Sequence, residues 1–284
     1  MKTSTLRYRF LLSLVALMLA MPALAATPPA VQKALKAAIN GPQRTPAYAK
    51  RDRYRHPLQT LEFFGIRPDM RVVEVLPGGG WYTEILAPFL HDHGHLIEAT
   101  PPTTSPNPFF RKMAKKYKAK LAADPSVYGH VKLQAFSPPA YMPLGAPDSA
   151  DMILTFRNMH DLIYANVHGQ VTALIMQRFF RSAYRALKPG GILGVVGHRA
   201  NPDASVAKSH KLGRLPQHFV IQQAEQAGFK LAGTSGINAN PKDPRDMPIW
   251  YLPPTLERGK TDRAHYKAIG EGDNMTLKFV KPGE

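Results

Sequence analysis

Three consecutive glycines, Gly78, Gly79 and Gly80, follow a mainly apolar run from Val72 to Leu76. Such a run is typical of a buried strand in a parallel sheet, and Trp81 to Leu90 has the spacing of a helix. Glycines allow a tight turn and a close approach to a ligand, because they lack a Cβ. Backbone amides at such a turn bind nucleotide-like ligands at the carboxyl end of a parallel strand. The stretch predicts a nucleoside-cofactor site; an ordinary glycine-rich loop is the alternative.

Two common nucleotide motifs are missing from the chain. The dinucleotide fingerprint G-x-G-x-x-G, counted from Gly78, requires a glycine where Thr83 stands. No G-x-x-x-x-G-K-[ST] sequence for a nucleoside triphosphate occurs. Both ligand classes are therefore disfavoured.

A second polar cluster follows the apolar run from Ala150 to Phe156, which predicts another buried strand. Its members are Arg157, Asn158, His160 and Asp161. Because parallel strands end at the same edge of a sheet, we expect this cluster to line the same crevice as the glycine turn. His160 and Asp161 could supply a general base and the group that orients it; a structural histidine is the alternative.

Further cationic groups flank this predicted crevice. Arg55 and His56 precede the first strand, where they could form a flap over the site; a surface helix with ordinary salt bridges is the alternative. His198 and Arg199 follow an apolar strand from Ile192 to Val196. Arg199 could hold a substrate or cofactor carboxylate through two hydrogen bonds.

The histidines of His91-Asp92-His93-Gly94-His95 could in principle bind a transition metal. Gly94 interrupts the spacing, and no second cluster of ligands completes a site. We therefore expect a polar loop and no metal site.

Strand-like and helix-like segments alternate along the chain, which predicts an α/β fold with a mostly parallel sheet. The other strands are predicted at 95–99, 131–136, 229–232 and 275–280. Helices are predicted at 31–39, 58–64, 106–121, 171–187 and 216–227.

The glycine turn resembles motif I of class I S-adenosylmethionine-dependent methyltransferases, an acidic residue followed by G-x-G-x-G. Glu74 stands at the acidic position, Gly78 and Gly80 at the last two glycines, and Leu76 replaces the first glycine. The junction 186–193, Ala-Leu-Lys-Pro-Gly-Gly-Ile-Leu, resembles the family's connection from a helix to the fifth strand.

The family usually carries an acidic residue for the ribose at the end of the second strand. This chain has Thr100 there, and Glu98 two residues earlier could substitute. From about Val31 onward the chain resembles exported, predicted class I methyltransferases of bacteria, and five segments carry this resemblance: 51–57, 77–84, 155–158, 197–200 and 275–280.

This resemblance implies a Rossmann-like fold: a mostly parallel seven-stranded sheet with an antiparallel last strand and helices on both faces. It implies S-adenosyl-L-methionine as cofactor, held by Glu74, Pro77, Gly78, Gly79, Gly80, Tyr82, Thr83, Thr100, Arg157 and Asn158. The catalytic residues would be His160 and Asp161, and the substrate-binding residues Arg55, His56, His198 and Arg199.

The first residues predict export. Three basic residues precede an apolar run from Phe10 to Ala20, which ends in the small-x-small pattern Ala23-Leu24-Ala25. We expect a signal peptide, residues 1–25, cleaved near Ala25 and Ala26, and a periplasmic or otherwise exported protein; an uncleaved anchor is the alternative. Residues 26–284 are expected to form one domain without a transmembrane helix, with a helical extension at about 31–65 and a lid-like insertion at about 237–272.

The chain of 284 residues has no cysteine, which excludes disulfides and thiolate metal sites, and a formal net charge of +17. So large a charge favours anionic partners. For an exported protein these would be anionic lipids or polymers of the envelope rather than nucleic acid; a merely solvated surface is the alternative.

Two functions follow from these patterns. The first is methyl transfer from S-adenosylmethionine to an unknown acceptor in the cell envelope. Because this cofactor is made in the cytoplasm, the second is a non-catalytic periplasmic binding or structural protein that retains the scaffold. Leu76 and Thr100 would then mark an altered cofactor site.

Overall fold

A computed structural model describes residues 27–165, 171–257 and 259–283. The predicted signal peptide, residues 1–25, lies outside the described residues, so export remains an expectation from sequence. Among the described helices, none has an apolar stretch long enough to cross a bilayer.

Seven strands form one sheet, and they are numbered here in chain order. They are β1 (Arg71–Val75), β2 (His95–Thr100), β3 (Lys132–Ala135), β4 (Ala150–Phe156), β5 (Leu187–His198), β6 (Lys230–Ser235) and β7 (Asn274–Val280). Their order across the sheet is β3-β2-β1-β4-β5-β7-β6. The first five strands are parallel, whereas β7 runs antiparallel to both of its neighbours. The predicted sheet is therefore confirmed, including its antiparallel last strand.

Eleven helices accompany the sheet in the described residues. They are α1 (Pro29–Ile39), α2 (Pro46–Ala49), α3 (Asp52–Arg55), α4 (Pro57–Phe64), α5 (Thr83–Leu90), α6 (Pro108–Ala123), α7 (Pro125–Tyr128), α8 (Leu174–Ala186), α9 (Val206–Ser209), α10 (Gln217–Gln226) and α11 (Gly259–Ile269). Short 3-10 turns occur at Met159–Leu162, His210–Leu212 and Ile249–Tyr251.

The apolar core is divided between the two faces of the sheet. Successive side chains of a strand point to opposite faces, so Val73 and Val75 pack with α8 and α10, whereas Val72 packs with α1, α4 and α5. Both faces of the central strands are thus covered, which explains their continuous apolar sequence.

A buried ion-pair network joins the N-terminal helices to α5. The Glu84 carboxylate accepts hydrogen bonds from the backbone and hydroxyl of Thr45 at 2.9 and 2.5 Å and from Lys120 at 2.5 Å. Arg44 lies 3.5 Å from Glu84 and donates to Asp52 at 2.8 Å. These bonds hold the segment before β1 against the helix that follows the glycine turn.

Two predicted boundaries differ from the structure because of strand pairing, and several other limits differ by one to three residues. Helix α8 begins at Leu174 rather than residue 171, because Val171–Thr172 pair with Tyr164–Ala165 as a short antiparallel ladder. Residues 188–191, which separate the predicted helix from the strand predicted to begin at Ile192, lie within β5, where Gly190 donates to the backbone oxygen of Lys281 at 2.8 Å. The C-terminal segment thus supplies partners that local sequence does not reveal. The insertion 237–272 contains a 3-10 turn and α11, and its role as a lid remains a prediction.

Candidate functional site

The glycine turn connects β1 to α5 at the carboxyl edge of the sheet. Gly78 and Gly80 have φ angles of 60° and 82°, which glycine adopts without strain. A Cβ on Gly80 would lie 3.0 Å from the Tyr117 ring, and one on Gly79 would lie 2.3 Å from the Tyr48 hydroxyl. A Cβ on Gly78 would meet nothing within 4 Å. The turn is therefore enclosed at two glycines and open at Gly78.

Leu76, where the resemblance would place a first glycine, has a left-handed backbone. Its φ angle is 53°, in the left-handed region, which costs a non-glycine residue about 1 kcal/mol. Its amide donates to the Ala99 oxygen at 2.8 Å, so the ladder to β2 continues through it. Leu76 thus turns the chain out of β1 without breaking its pairing with β2.

A cleft of about 290 Å³ opens beside the turn. Its lining combines aromatic, apolar and basic groups with two glycines: Tyr48, Gly78, Gly79, Met113, Lys116, Tyr117 and Lys120. Small-molecule sites usually have about 300 to 1,000 Å³, so the cleft lies at the lower limit of that range. The side chains come from α2 and α6, so the N-terminal segment forms part of its wall.

Two carboxyl groups are buried on the α5 and α6 side of the sheet. Glu74 and Glu98 are register partners on β1 and β2 and are only 2% and 0% exposed. The Thr83 hydroxyl donates to Glu74 at 3.1 Å and lies 2.9 Å from the Tyr117 hydroxyl. Burial raises the pKa of Glu74 to about 7, and burial together with the Glu74 charge raises the pKa of Glu98 well above its usual range. Glu74 and Thr83 are buried beneath the turn and do not line the cleft. Glu98, the predicted substitute for a ribose contact, is also buried and does not line the cleft.

The polar residues after β4 lie beside the end of β1, but none of them lines the cleft at the glycine turn, so their predicted place in a shared crevice remains a prediction. Asn158 donates to the Val75 oxygen at 2.8 Å and accepts from the Thr155 hydroxyl. Arg157 has a left-handed φ of 64°, and its amide donates to the Val196 oxygen at 2.6 Å. Asn158 thus joins the two strand ends, and this junction fixes the direction of Arg157.

His160 and His198 come together, with ring centroids 5.6 Å apart. Burial lowers the pKa of each imidazole, and for His198 the His160 and Arg157 charges lower it further. Nε2 of His160 lies 3.3 Å from the Asp161 carboxylate, which favours the tautomer with the proton on Nε2. The Nδ1 atom of His160 is then a lone-pair acceptor, buried and without a partner. A neutral imidazole with this tautomer can accept a proton at Nδ1.

Three arginine side chains surround the Glu271 carboxylate. Nε of Arg51 lies 2.6 Å from Oε1, and Nε of Arg55 lies 3.0 Å from Oε2. Arg157 approaches Oε2 only to 3.9 Å. Sequence analysis missed Glu271 and Arg51, although an acid in Gly270-Glu271-Gly272 just before the last strand was a usable signal.

The remaining predicted residues are more dispersed. The Tyr82 ring stacks on Phe156 with centroids 3.5 Å apart, and Arg55 lies 4.8 Å above the Trp81 ring. The Arg199 guanidinium donates two hydrogen bonds to the Asp273 carboxylate, at 2.7 and 2.9 Å. The group predicted to hold a substrate carboxylate therefore already binds a carboxylate of the protein itself.

Three predicted residues contribute mainly backbone or surface. The Pro77 oxygen accepts from Gly80 at 2.9 Å, and the Thr100 oxygen accepts from Phe136 at 2.9 Å. His56 has a φ of 40° at the start of α4 and borders a cleft of about 190 Å³. The roles predicted for these residues and for the rest of the site remain predictions.

In the loop after α5, His91 bonds Asp92 at 2.7 Å and stacks on His130 at 4.3 Å between centroids. Within 27–165, 171–257 and 259–283, no group of three or more potential metal ligands occurs.

Comparison with known proteins gives similarities of structure alone. No protein-family model matches the sequence, and no curated protein matches it significantly. The structure of the [4+2]-cyclase SpnF is similar with a TM-score of 0.55 and 15% identity, over 89% of this chain and 93% of that chain. A SAM-dependent methyltransferase from Aquifex aeolicus is similar with a TM-score of 0.52 and 13% identity, over 88% and 98% of the two chains.

A third similar structure is geranyl diphosphate C-methyltransferase from Streptomyces coelicolor A3(2), in complex with Mg²⁺, geranyl-S-thiolodiphosphate and S-adenosyl-L-homocysteine. Its TM-score is 0.51 at 13% identity, over 86% of this chain and 84% of that chain. Together with the strand order, these similarities define the fold as the Rossmann-like fold of S-adenosylmethionine-dependent methyltransferases. At such identities the likeness establishes the fold and leaves the reaction to the site.

Proposed function

We propose that this protein is an S-adenosylmethionine-dependent methyltransferase that acts on an acceptor in the cell envelope. The observation that carries the proposal is the open side of the glycine turn. Gly78 faces free space at a cleft of about 290 Å³, at the carboxyl end of β1, where α/β sheets bind nucleotide-like ligands.

The chain's residues fit the cofactor in the turn and depart from the family pattern at the ribose. The turn is open at Gly78, whereas the Gly80 amide already donates to the Pro77 oxygen and the Tyr48 hydroxyl covers Gly79. Met113 with the Tyr48 and Tyr117 rings offers apolar contact. Thr100 stands where an acid would bind the ribose, so that contact would come from a neutral hydroxyl. We therefore expect modest affinity, in the micromolar range.

His160 is the proposed general base. S-adenosylmethionine, when bound, supplies an electrophilic methyl group on sulfur. Methyl transfer chiefly requires alignment and exclusion of water, with at most one base to take a proton. Nδ1 of His160 is suited to that step, because its imidazole is neutral at neutral pH and oriented by Asp161.

Placement in the envelope is supported by the N-terminal sequence pattern and by the formal charge of +17, which favours anionic surroundings. A non-catalytic envelope protein is the second candidate, and Thr100 at the ribose position favours it. The neighbour described as a [4+2]-cyclase shows that this fold also occurs in proteins with other described activities.

Calorimetric titration of S-adenosylmethionine and S-adenosylhomocysteine into the purified protein separates the two candidates. Micromolar binding of both ligands, with a raised melting temperature, supports the methyltransferase. No heat from a folded sample, together with an unchanged melting temperature, favours the non-catalytic protein.

A further inference from the structure

The buried Arg157 guanidinium lacks the partners that buried charges require. Its side chain is 8% exposed, none of its three nitrogens makes a well-formed hydrogen bond, and the nearby Tyr82 hydroxyl is a neutral group that cannot balance the charge. The nearest carboxylate oxygen, Oε2 of Glu271, is 3.9 Å from Nε. Buried charges in proteins are normally paired and hydrogen-bonded, so donors of this kind indicate that an acceptor is missing.

The groups around Arg157 do not balance its charge. Glu271 is shared with Arg51 and Arg55, so three guanidinium groups surround one carboxylate. Burial and the charge of Arg157 lower the pKa of Arg55 to about 9, which still leaves it charged at neutral pH. His198 cannot contribute negative charge, because an imidazole is either neutral or positive. The cluster therefore carries an excess of about two positive charges.

Two clefts border Glu271 of this cluster, and Arg51 lines one of them, whereas Arg55 and Arg157 lie behind Glu271 and line neither. One has about 190 Å³ and is lined by Arg53, His56 and Lys242; the other has about 360 Å³ and is lined by Arg51, Arg53 and Lys267. Such a lining attracts anions.

We propose that Arg157, together with Arg55, binds an oxyanion, carboxylate or phosphate, carried by the acceptor of the methyl group. The assignment of the anion to the methyl acceptor rests on the proposed function, whereas the anion site itself does not. The location supports this role, because Arg157 follows β4, which pairs with the strand before the glycine turn. Arg157 also lies near the His198 imidazole, since its charge contributes to lowering the pKa of His198. An anionic acceptor would be anchored there next to the donor site.

Titration of inorganic phosphate and of acetate at constant ionic strength, without cofactor, tests the anion site. Wild-type protein should bind at least one of them and melt at a higher temperature. Arg157→Met should weaken that binding at least about tenfold, the usual size of one charge-assisted contact. Arg178→Met, which removes an exposed arginine of α8, is the matched control and should leave the binding unchanged. Glu271→Gln should strengthen binding, because it removes the competing carboxylate while preserving its shape.

Absence of anion binding by the wild type, or equal losses in the Arg157 and Arg178 variants, would overturn the site. A second titration assigns the anion to donor or acceptor. If Arg157→Met leaves S-adenosylhomocysteine binding intact, the acceptor is supported. If it weakens S-adenosylhomocysteine but not 5′-methylthioadenosine, which lacks the carboxylate, the anion belongs to the donor and the assignment is wrong. The phosphate result is independent of cofactor binding, so a failure of the proposed function is seen separately.

Discussion

Two buried arginines, Arg214 and Arg157, lie in opposite electrostatic situations. Arg214 is 0% exposed, and its fork pairs with the Asp243 carboxylate at 2.7 and 3.0 Å while Nε donates to the Met247 oxygen at 3.0 Å. The Arg157 side chain is 8% exposed, its nitrogens make no well-formed hydrogen bond, and its neighbour Tyr82 is a neutral hydroxyl. A fully paired arginine fixes the fold, whereas an unpaired one retains donors for a ligand. Low exposure alone therefore does not determine the role of an arginine.

Replacement of Arg214 by methionine should produce the largest loss of stability. Asp243 would remain buried without its partner, and breaking such a pair costs about 3 to 5 kcal/mol. Urea denaturation at neutral pH measures the change in the free energy of unfolding.

Arg157→Met is the counterpart in the same assay. Glu271 keeps Arg51 and Arg55, so no carboxylate loses all its partners, and we expect no loss of stability without added anion. A loss comparable to that of Arg214→Met would show that both arginines are structural, and the contrast between them would fail.

The Glu74 and Glu98 pair extends the comparison to acids. A buried carboxyl without a cationic partner can keep its proton, whereas a guanidinium cannot lose its own. Burial raises both pKa values above the ordinary glutamate value of 4.5, so the folded protein binds protons that the unfolded chain releases. This contribution to stability is complete below about pH 4.5 and is lost as the pH rises through 7 and above.

Glu98→Gln should therefore flatten the decrease in stability with rising pH, because the amide stays neutral. Urea denaturation from about pH 5 to about pH 9 measures the slope for both proteins. Parallel slopes would mean that Glu98 does not hold the proton in the folded state.

Local patterns predicted most of the fold. The run ending at Leu76, the glycines and the helix after them need only near neighbours, and the strand 150–156 was predicted with its observed limits. The start of α8 was missed because Val171–Thr172 pair with another segment, a contact that periodicity does not show.

The site was less predictable, because its contacts join distant parts of the chain. Arg51 and Glu271 are 220 residues apart in sequence, and no local pattern indicates that they pair. Glu98 was visible as an acid within an apolar strand, but its position opposite Glu74 depends on strand register. The sequence predicted that the Arg199 guanidinium is available to a ligand. Only the fold shows that Asp273 already binds it.

The central claim is that the open side of Gly78 holds the methyl donor, and two matched glycine variants test it most directly. Gly78 and Gly190 both have positive φ angles, 60° and 77°, and free space where a Cβ would stand. Gly190 lies near the amino end of β5, whereas Gly78 follows the carboxyl end of the parallel strand β1. Asparagine tolerates this backbone shape, so both variants should fold.

Titration of S-adenosylhomocysteine into the two variants and the wild type is the measurement. We predict that Gly78→Asn weakens binding at least about tenfold, because its side chain enters the cleft, and that Gly190→Asn binds as the wild type does. Equal, undiminished binding by both variants would contradict the claim, since the donor would then lie away from the glycine turn.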